Sequence, residues 1–258
     1  FVDSCRECPS CQKGQEQYSD ENMTATYNDL YRDGKTQTFG GYSANYVIDE
    51  KYALHVNFEQ KDLARVAPLL CAGITTYSPL RFAGVGKGHK VAVLGLGGLG
   101  HMAVKFGVAF GAEVTVLSTS PSKEAAAKEL GAHHFVVTSD KAQLDAVKGS
   151  FDFILDTVSA DHDMNIYLAL LRTNGVHIVV GVPEPYAIHP FSLIVGRKSL
   201  AGSSIGGLAE TQEMLDFCAE HNIVSDIELI DIKDITSAYE RMVNGDVRYR
   251  FVIDIATL

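Results

Sequence analysis

The stretch "VAVLGLGGLGHMAVKFGVAFGA", residues 91–112, constrains the fold more than any other part of the chain. A short β-branched apolar run meets a glycine-rich turn, and the turn opens directly into a helix. Gly95, Gly97 and Gly100 form G-x-G-x-x-G, with Gly98 added and Leu96 and Leu99 between them. Gly95 permits the tight turn, Gly97 lets the backbone approach a pyrophosphate, and Gly100 permits close packing of helix on strand. The helix N-terminus supplies N–H donors and the positive end of its dipole. The motif is weak alone. Between a strand and a helix it reads as a dinucleotide site.

A regular alternation surrounds it. Strands are expected at "KVAVLG" (90–95), "EVTVLS" (113–118), "HFVV" (134–137), "FDFILD" (151–156) and "GVHIVVG" (175–181), with helices at 97–110, 122–130, 141–147 and 162–171 between them. Continuous β-branched runs separated by helices predict a parallel sheet covered on both faces. A doubly wound α/β domain over about residues 61–225 follows. Residues 62–83 read as helical with an interruption at "AGITT". Residues 1–50 are polar and turn-rich within a first unit of residues 1–60, with "GGYSANYVIDE" (40–50) read as a strand. Beyond the fifth strand come "KSLAGSSIG" (198–206), helices at 210–221 and 234–243, and the strand "YRFVIDI" (249–255), expected to return to whatever the first fifty residues build.

The second cofactor strand decides the nucleotide. An NAD site places an acid about 20 residues past the first glycine. Here stands "LSTSPSK", with no acid. Ser118 and Thr119 donate hydrogen bonds and Lys123 adds a point charge, so a 2′-phosphate is accommodated and NADP is favoured. The same residues also suit the cap of a helix starting near Ser122.

Lys plus Arg is 22 against 32 for Asp plus Glu, a net charge of −10, which argues against nucleic acid or an anionic membrane as partner. No apolar run reaches the length of a membrane span. Five cysteines are an odd number, and Cys5, Cys8 and Cys11 crowd into seven residues of "DSCRECPSCQKGQEQYSD". That is the pattern of a metal-directed thiolate cluster in a reducing, cytoplasmic setting. Cys71, in "PLLCAGITTYSPL", reads by itself as a small buried hydrophobe. The nine histidines form no H-x-x-H or H-E-x-x-H.

Together "DSCRECPSCQKGQEQY", "TFGGYSANYVID", "LLCAGITTYSPL", "VLGLGGLGHMAVK", "IGGLAETQEMLDFCAEHNI" and "DVRYRFVID" resemble the zinc-dependent medium-chain alcohol dehydrogenases of the cinnamyl-alcohol-dehydrogenase branch, from Phe1 to about Ile255. The resemblance implies a Rossmann cofactor domain beside the remainder of a mainly β, GroES-like catalytic domain, with residues 226–258 returning to the latter. It makes Cys5, Cys8 and Cys11 three of four structural-zinc ligands, with Ser19 in the place of the fourth. A neutral hydroxyl is a poor zinc ligand beside a thiolate. Either water, Asp20 or Glu21 completes the site, or the metal is lost; weak zinc occupancy and a mobile lobe are expected. Cys71 matches a catalytic zinc ligand. The family's other catalytic ligands lie upstream of the structural-zinc loop, where this chain begins, so it reads as a C-terminal fragment or an incompletely represented chain. For the cofactor, the resemblance adds Thr75 at the nicotinamide end, Thr157, Val180 and Gly181 along its border, and Ser203, Ser204 and Ile205 over the nicotinamide ribose.

The implied activity is NADPH-dependent, zinc-assisted interconversion of a small aldehyde and its primary alcohol, carried out by a homodimer joined through the cofactor domains. A zinc-independent quinone or enoyl reductase, and a non-catalytic NADP-binding module, are the alternatives.

Overall fold

The computed structural model describes residues 1–258. In chain order, α1 (Pro9–Gln12) precedes the hairpin β1 (Tyr27–Leu30) and β2 (Gln37–Phe39), and α2 (Leu63–Val66) precedes α3 (Ala72–Phe82). The alternation follows as β3 (Lys90–Leu94), α4 (Gly100–Ala109), β4 (Glu113–Ser118), α5 (Glu124–Glu129), β5 (His134–Val137) and α6 (Lys141–Ala146). It continues through β6 (Phe151–Asp156), α7 (Met164–Leu170), β7 (Leu171–Val179), α8 (Phe191–Ile194) and β8 (Ser199–Gly202). Then come α9 (Leu208–His221), β9 (Ile227–Asp231), α10 (Ile235–Val243) and β10 (Arg250–Asp254). Two compact units result, one of Thr75–Ser204 and one of Phe1–Ile74 with Ile205–Leu258.

In the Thr75–Ser204 unit, six strands form one sheet in the order β5-β4-β3-β6-β7-β8, and every pair is parallel. The order reverses direction between β3 and β6, the switch point where a doubly wound sheet leaves a crevice at its carboxyl edge. One cluster of buried side chains joins Ala92, Leu94, Leu117 and Ile154 to Met164 and Leu168 of α7. Alternate residues Val91, Val93, Val114 and Val116, buried as well, face the other way. Gly107 of α4 lies where a Cβ would come within 2.8 Å of Val114 Cγ2, so helix and sheet approach closely there. Tyr77 meets Phe106 and Phe110 edge-on, at 5.3 and 5.5 Å between centroids.

The other unit is held by smaller pieces. Val2 N–H donates to the Thr24 carbonyl and Thr24 N–H to that of Asp3, at 2.9 and 2.8 Å, closing the cysteine-bearing loop at its base. Ser4 Oγ and Tyr52 Oη lie 2.9 Å apart, and Arg6 reaches Asp49 at 2.8 Å. Gly207 lies where a Cβ would come 1.8 Å from the Gly14 carbonyl oxygen, and Leu208 N–H donates to Glu16 at 3.0 Å. The loop thus supplies a carboxylate to the N-terminus of α9, where the helix dipole favours it. β9 and β10 pair in parallel as a separate two-stranded sheet.

Several expectations change. "GGYSANYVIDE" is not a strand: no strand pairs with residues 40–50, and alternation of side chains without a ladder partner leaves backbone groups to solvent. Its neighbours form the β1–β2 hairpin instead. The helical interruption falls at Cys71 (φ −129°, ψ −75°) and not at "AGITT", which α3 runs through, Pro79 included. α4 begins at Gly100 because residues 95–99 make the turn, and α7 at Met164 because the Asp163 side chain accepts the Asn165 N–H. β7 starts early, at Leu171, across an irregularity in register where Asn174 takes the left-handed conformation (φ 64°). β10 pairs with β9, a strand the sequence pattern did not announce. Residues 61–74 and 205–225, expected with the cofactor domain, group with the other unit, where Arg65 Nε donates to the Ser225 carbonyl (3.3 Å) and Gly206 lies against Ile74.

Leu168 is wholly buried in the α7 cluster. Leu168→Ala should lower stability by about 2–5 kcal/mol, through lost transfer energy and a residual cavity, as read by chemical denaturation.

Candidate functional site

The glycine turn has a distinct reason for each glycine. Gly95 takes φ +88°, and a Cβ there would meet Val158 Cγ2 at 2.8 Å and Thr157 Oγ1 at 3.0 Å. Gly100 admits no side chain, since a Cβ would stand 2.1 Å from the Gly95 carbonyl oxygen. Gly97 differs, because a Cβ there would meet nothing within 4 Å. Its bareness faces open space and not the protein, which fits the close approach of a ligand. Leu96 is buried, Gly98 and Leu99 are half-buried, and Leu99 stands at the N-cap of α4. His101 and Ala103 N–H donate to the Gly97 and Leu99 carbonyls, each at 3.0 Å, so what the start of this ten-residue helix offers a pyrophosphate is chiefly the positive end of its dipole.

At the end of β4, Ser118 is buried and its Oγ accepts the Ser120 N–H at 3.2 Å. Thr119 and Lys123 are exposed. Lys123 Nζ donates to the Leu96 carbonyl at 3.0 Å, which brings the one cation of "LSTSPSK" onto the glycine turn. The short helical turn Pro121–Lys123 leads into α5, and no side chain caps either, so these serines are not the helix cap their sequence suggests.

Across the switch point, Thr157 Oγ1 donates to the Leu94 carbonyl at 2.8 Å, tying the end of β6 to that of β3. Val180 and Gly181 N–H both donate to the Asp156 carbonyl, at 2.9 and 3.1 Å. Gly181 lies where a Cβ would come 2.3 Å from the Val158 carbonyl oxygen. Ser203 N–H donates to the Val179 carbonyl at 3.2 Å, Ser204 is exposed, and Ile205 takes φ +39°. Thr75 is buried in α3. Gly95–Gly100, Ser118, Thr119, Lys123, Thr157, Val180, Gly181 and Ser203 therefore all lie at or past the carboxyl ends of strands in one sheet, while Thr75 belongs to α3. Asp156 escaped notice; its only signal was an acid ending the otherwise apolar run "FILD".

In the other unit, the sulfurs of Cys5, Cys8 and Cys11 lie within 4.8 Å of one another. Backbone N–H groups aim at them, Cys8 N–H at Cys5 Sγ (3.3 Å), Cys11 N–H at Cys8 Sγ (3.4 Å) and Asp20 N–H at Cys8 Sγ (3.3 Å). Ser19 is buried, and its hydroxyl donates to Cys5 Sγ at 3.4 Å. That bond, followed by backbone N–H bonds, lowers the Cys5 thiol to about 6. The donor set fits a zinc ion with three thiolates and leaves the Ser19 hydroxyl facing the fourth position. Neither carboxylate expected there joins the cluster, for Asp20 accepts from Ser10 Oγ at 2.8 Å and Glu21 pairs with Arg32. Cys71 is exposed, not the buried hydrophobe its neighbours suggest, and joins no group of three ligand side chains in this chain. Cys218 is inert, buried 3.6 Å from Met214 Sδ with its thiol pushed up to about 12.

Ser19→Cys should complete a closed four-thiolate site and raise zinc affinity by about an order of magnitude or more. Zinc retained after dialysis against a competing chelator, wild type beside variant, checks this. Equal retention would show that Ser19 is no defect.

A family model described as zinc-binding dehydrogenase matches residues 98–220. The chain is 54% identical over 260 residues to NADP-dependent alcohol dehydrogenase C 1 of Mycolicibacterium smegmatis, covering 100% of this chain and 74% of that protein. Among solved structures, a cinnamyl alcohol dehydrogenase from Sorghum bicolor superposes with a TM-score of 0.94 at 44% identity, covering 99% of this chain and 73% of that one. The cinnamyl alcohol dehydrogenase of Helicobacter pylori complexed with NADP(H) gives 0.90 at 43% identity, with the same coverage. No helix here is long and apolar enough to cross a membrane. The glycine turn on a switch-point sheet, the three-thiolate loop and these likenesses agree: the chain belongs to the zinc-binding medium-chain alcohol dehydrogenases, in their cinnamyl-alcohol-dehydrogenase-like branch.

Proposed function

We propose that this chain is the cofactor-binding part of an NADP(H)-dependent oxidoreductase that interconverts a small aldehyde and its primary alcohol in a reducing, cytoplasmic setting. By itself, with Cys71 as its one catalytic zinc ligand, it does not turn over. The observation that carries the reading is Lys123, whose ammonium meets the glycine turn at the Leu96 carbonyl in a segment without an acid. When bound, the nicotinamide supplies the hydride and zinc the Lewis-acid polarisation of the carbonyl oxygen.

The chain's own residues bind and orient. Gly95–Gly100 and the start of α4 receive the pyrophosphate. Ser118, Thr119 and Lys123 receive the 2′-phosphate. Thr157, Val180 and Gly181 border the nucleoside, and Thr75, Ser203, Ser204 and Ile205 serve the nicotinamide half. Cys71 serves as one catalytic zinc ligand, and Cys5, Cys8 and Cys11 hold the structural ion. The three-thiolate loop favours this reading over a zinc-independent quinone or enoyl reductase.

Calorimetric titration should find NADP(H) bound more tightly than NAD(H), with Lys123→Ala narrowing the gap by roughly 10- to 100-fold, as expected for a charge-assisted contact. Equal affinities for the two cofactors would refute the reading. Turnover of a simple aldehyde with NADPH by this chain alone would refute its lack of turnover.

We further propose a homodimer joined through β8, the last strand of the six-stranded sheet, whose outer edge has no partner within the chain. Light scattering at tens of micromolar should report twice the chain mass of 28.0 kDa. A monomer would rule the dimer out.

A further inference from the structure

Asp156 ends β6 fully buried, and its carboxylate is the meeting point of three donors. Oδ1 accepts the Val158 N–H at 3.0 Å. Oδ2 faces Nε2 of His162 at 2.9 Å and Nε2 of His177 at 3.1 Å. His177 comes from β7, is fully buried itself, and its Nδ1 has no partner. His162 directs Nδ1 at the Ala160 carbonyl (2.9 Å) and packs edge-on to Tyr167 at 5.4 Å. An acid at this depth is costly unless its oxygens are saturated, and an apolar side chain would fill the space without that cost. Two imidazoles are committed to keeping a carboxylate here.

What the carboxylate holds is Val158. Val158 Cγ2 lies against Gly95, where a Cβ would stand 2.8 Å away, and its backbone lies against Gly181, where a Cβ would stand 2.3 Å from its oxygen. The carbonyl of Asp156 meanwhile accepts both Val180 and Gly181. One residue therefore braces the glycine turn on one side and the end of β7 on the other.

We infer that Asp156, fastened by His162 and His177, is a positioning residue for NADP(H): through Val158 it sets the spacing between the Gly95 turn and the Val180–Gly181 segment, without touching the cofactor. The inference rests on the NADP(H) reading above. In Asp156→Asn, an amide oxygen kept on the Val158 N–H turns the NH2 group toward the two imidazoles, which must then accept at Nε2 and carry their protons on Nδ1. That suits His162, whose Nδ1 faces the Ala160 carbonyl, but leaves a His177 Nδ1–H buried without an acceptor. Asp152 provides the control. It is a buried acid at the opposite end of the same strand, accepting the Lys90 N–H at 2.8 Å and pairing with Arg172.

The experiment titrates NADPH into the wild type, Asp156→Asn and Asp152→Asn, recording affinity, the fluorescence of bound NADPH and the denaturation midpoint. Asp156→Asn should bind NADPH about tenfold or more weakly, with altered bound emission, while Asp152→Asn loses stability but keeps wild-type affinity and emission. If Asp156→Asn does not fold, His162→Ala, which removes one donor from Oδ2, should show the same change in affinity and emission to a lesser degree. Wild-type affinity and emission in the folded Asp156 variant, or in His162→Ala where that variant stands in, overturn the inference alone. So does an equal loss of affinity in Asp152→Asn. A wild type that binds no NADPH overturns the cofactor reading and this inference with it.

Discussion

The approach of Gly100 to the Gly95 carbonyl governs the cofactor unit. At a separation no side chain could share, the first turn of α4 lies directly on the turn that ends β3. The helix axis is thereby fixed against the strand, and its N-terminus opens at the carboxyl edge of the sheet. Thr157, Val158 and Lys123 each meet the segment that this contact fixes, at Leu94, Gly95 and Leu96 in turn. The site is an outcome of backbone proximity first and of side-chain chemistry second.

This explains which parts of the molecule could be read from the chain. Strands buried on both faces are largely apolar, so β3, β4 and β6 announce themselves as β-branched and apolar runs, and the edge strand β5 as a shorter one. Residues 40–50 show the opposite failure, for their alternation satisfied the pattern of a strand while no strand among residues 1–258 pairs with them. The β1–β2 hairpin carried a signal that went unused, Asp33-Gly34 between two short runs, and Asp33 indeed accepts the N–H groups of Lys35 and Thr36, each at 2.8 Å. In the site, glycines and a missing acid were legible because each acts at a fixed offset from the turn. Asp156 was not, since sequence does not say that an acid at a strand end is buried, nor that histidines 6 and 21 residues away meet it.

The cysteine loop obeys a different economy. Its sulfurs collect backbone N–H donors whether or not a cation lies between them, which offsets part of the cost of bringing charge together. Ser19 fits the same scheme as a donor to Cys5 Sγ. A hydroxyl that lowers a neighbouring thiol prepares that ligand for metal while contributing little to the metal itself.

That loop is also secured by bonds in which no sulfur takes part: the Val2–Thr24 and Thr24–Asp3 pairing, Ser4 with Tyr52, Arg6 with Asp49, and Glu16 at the head of α9. A lobe clasped twice over gives its ligand positions freedom to drift. Exchanging one sulfur for oxygen then changes what the lobe holds and how firmly, while the chain around it keeps its course.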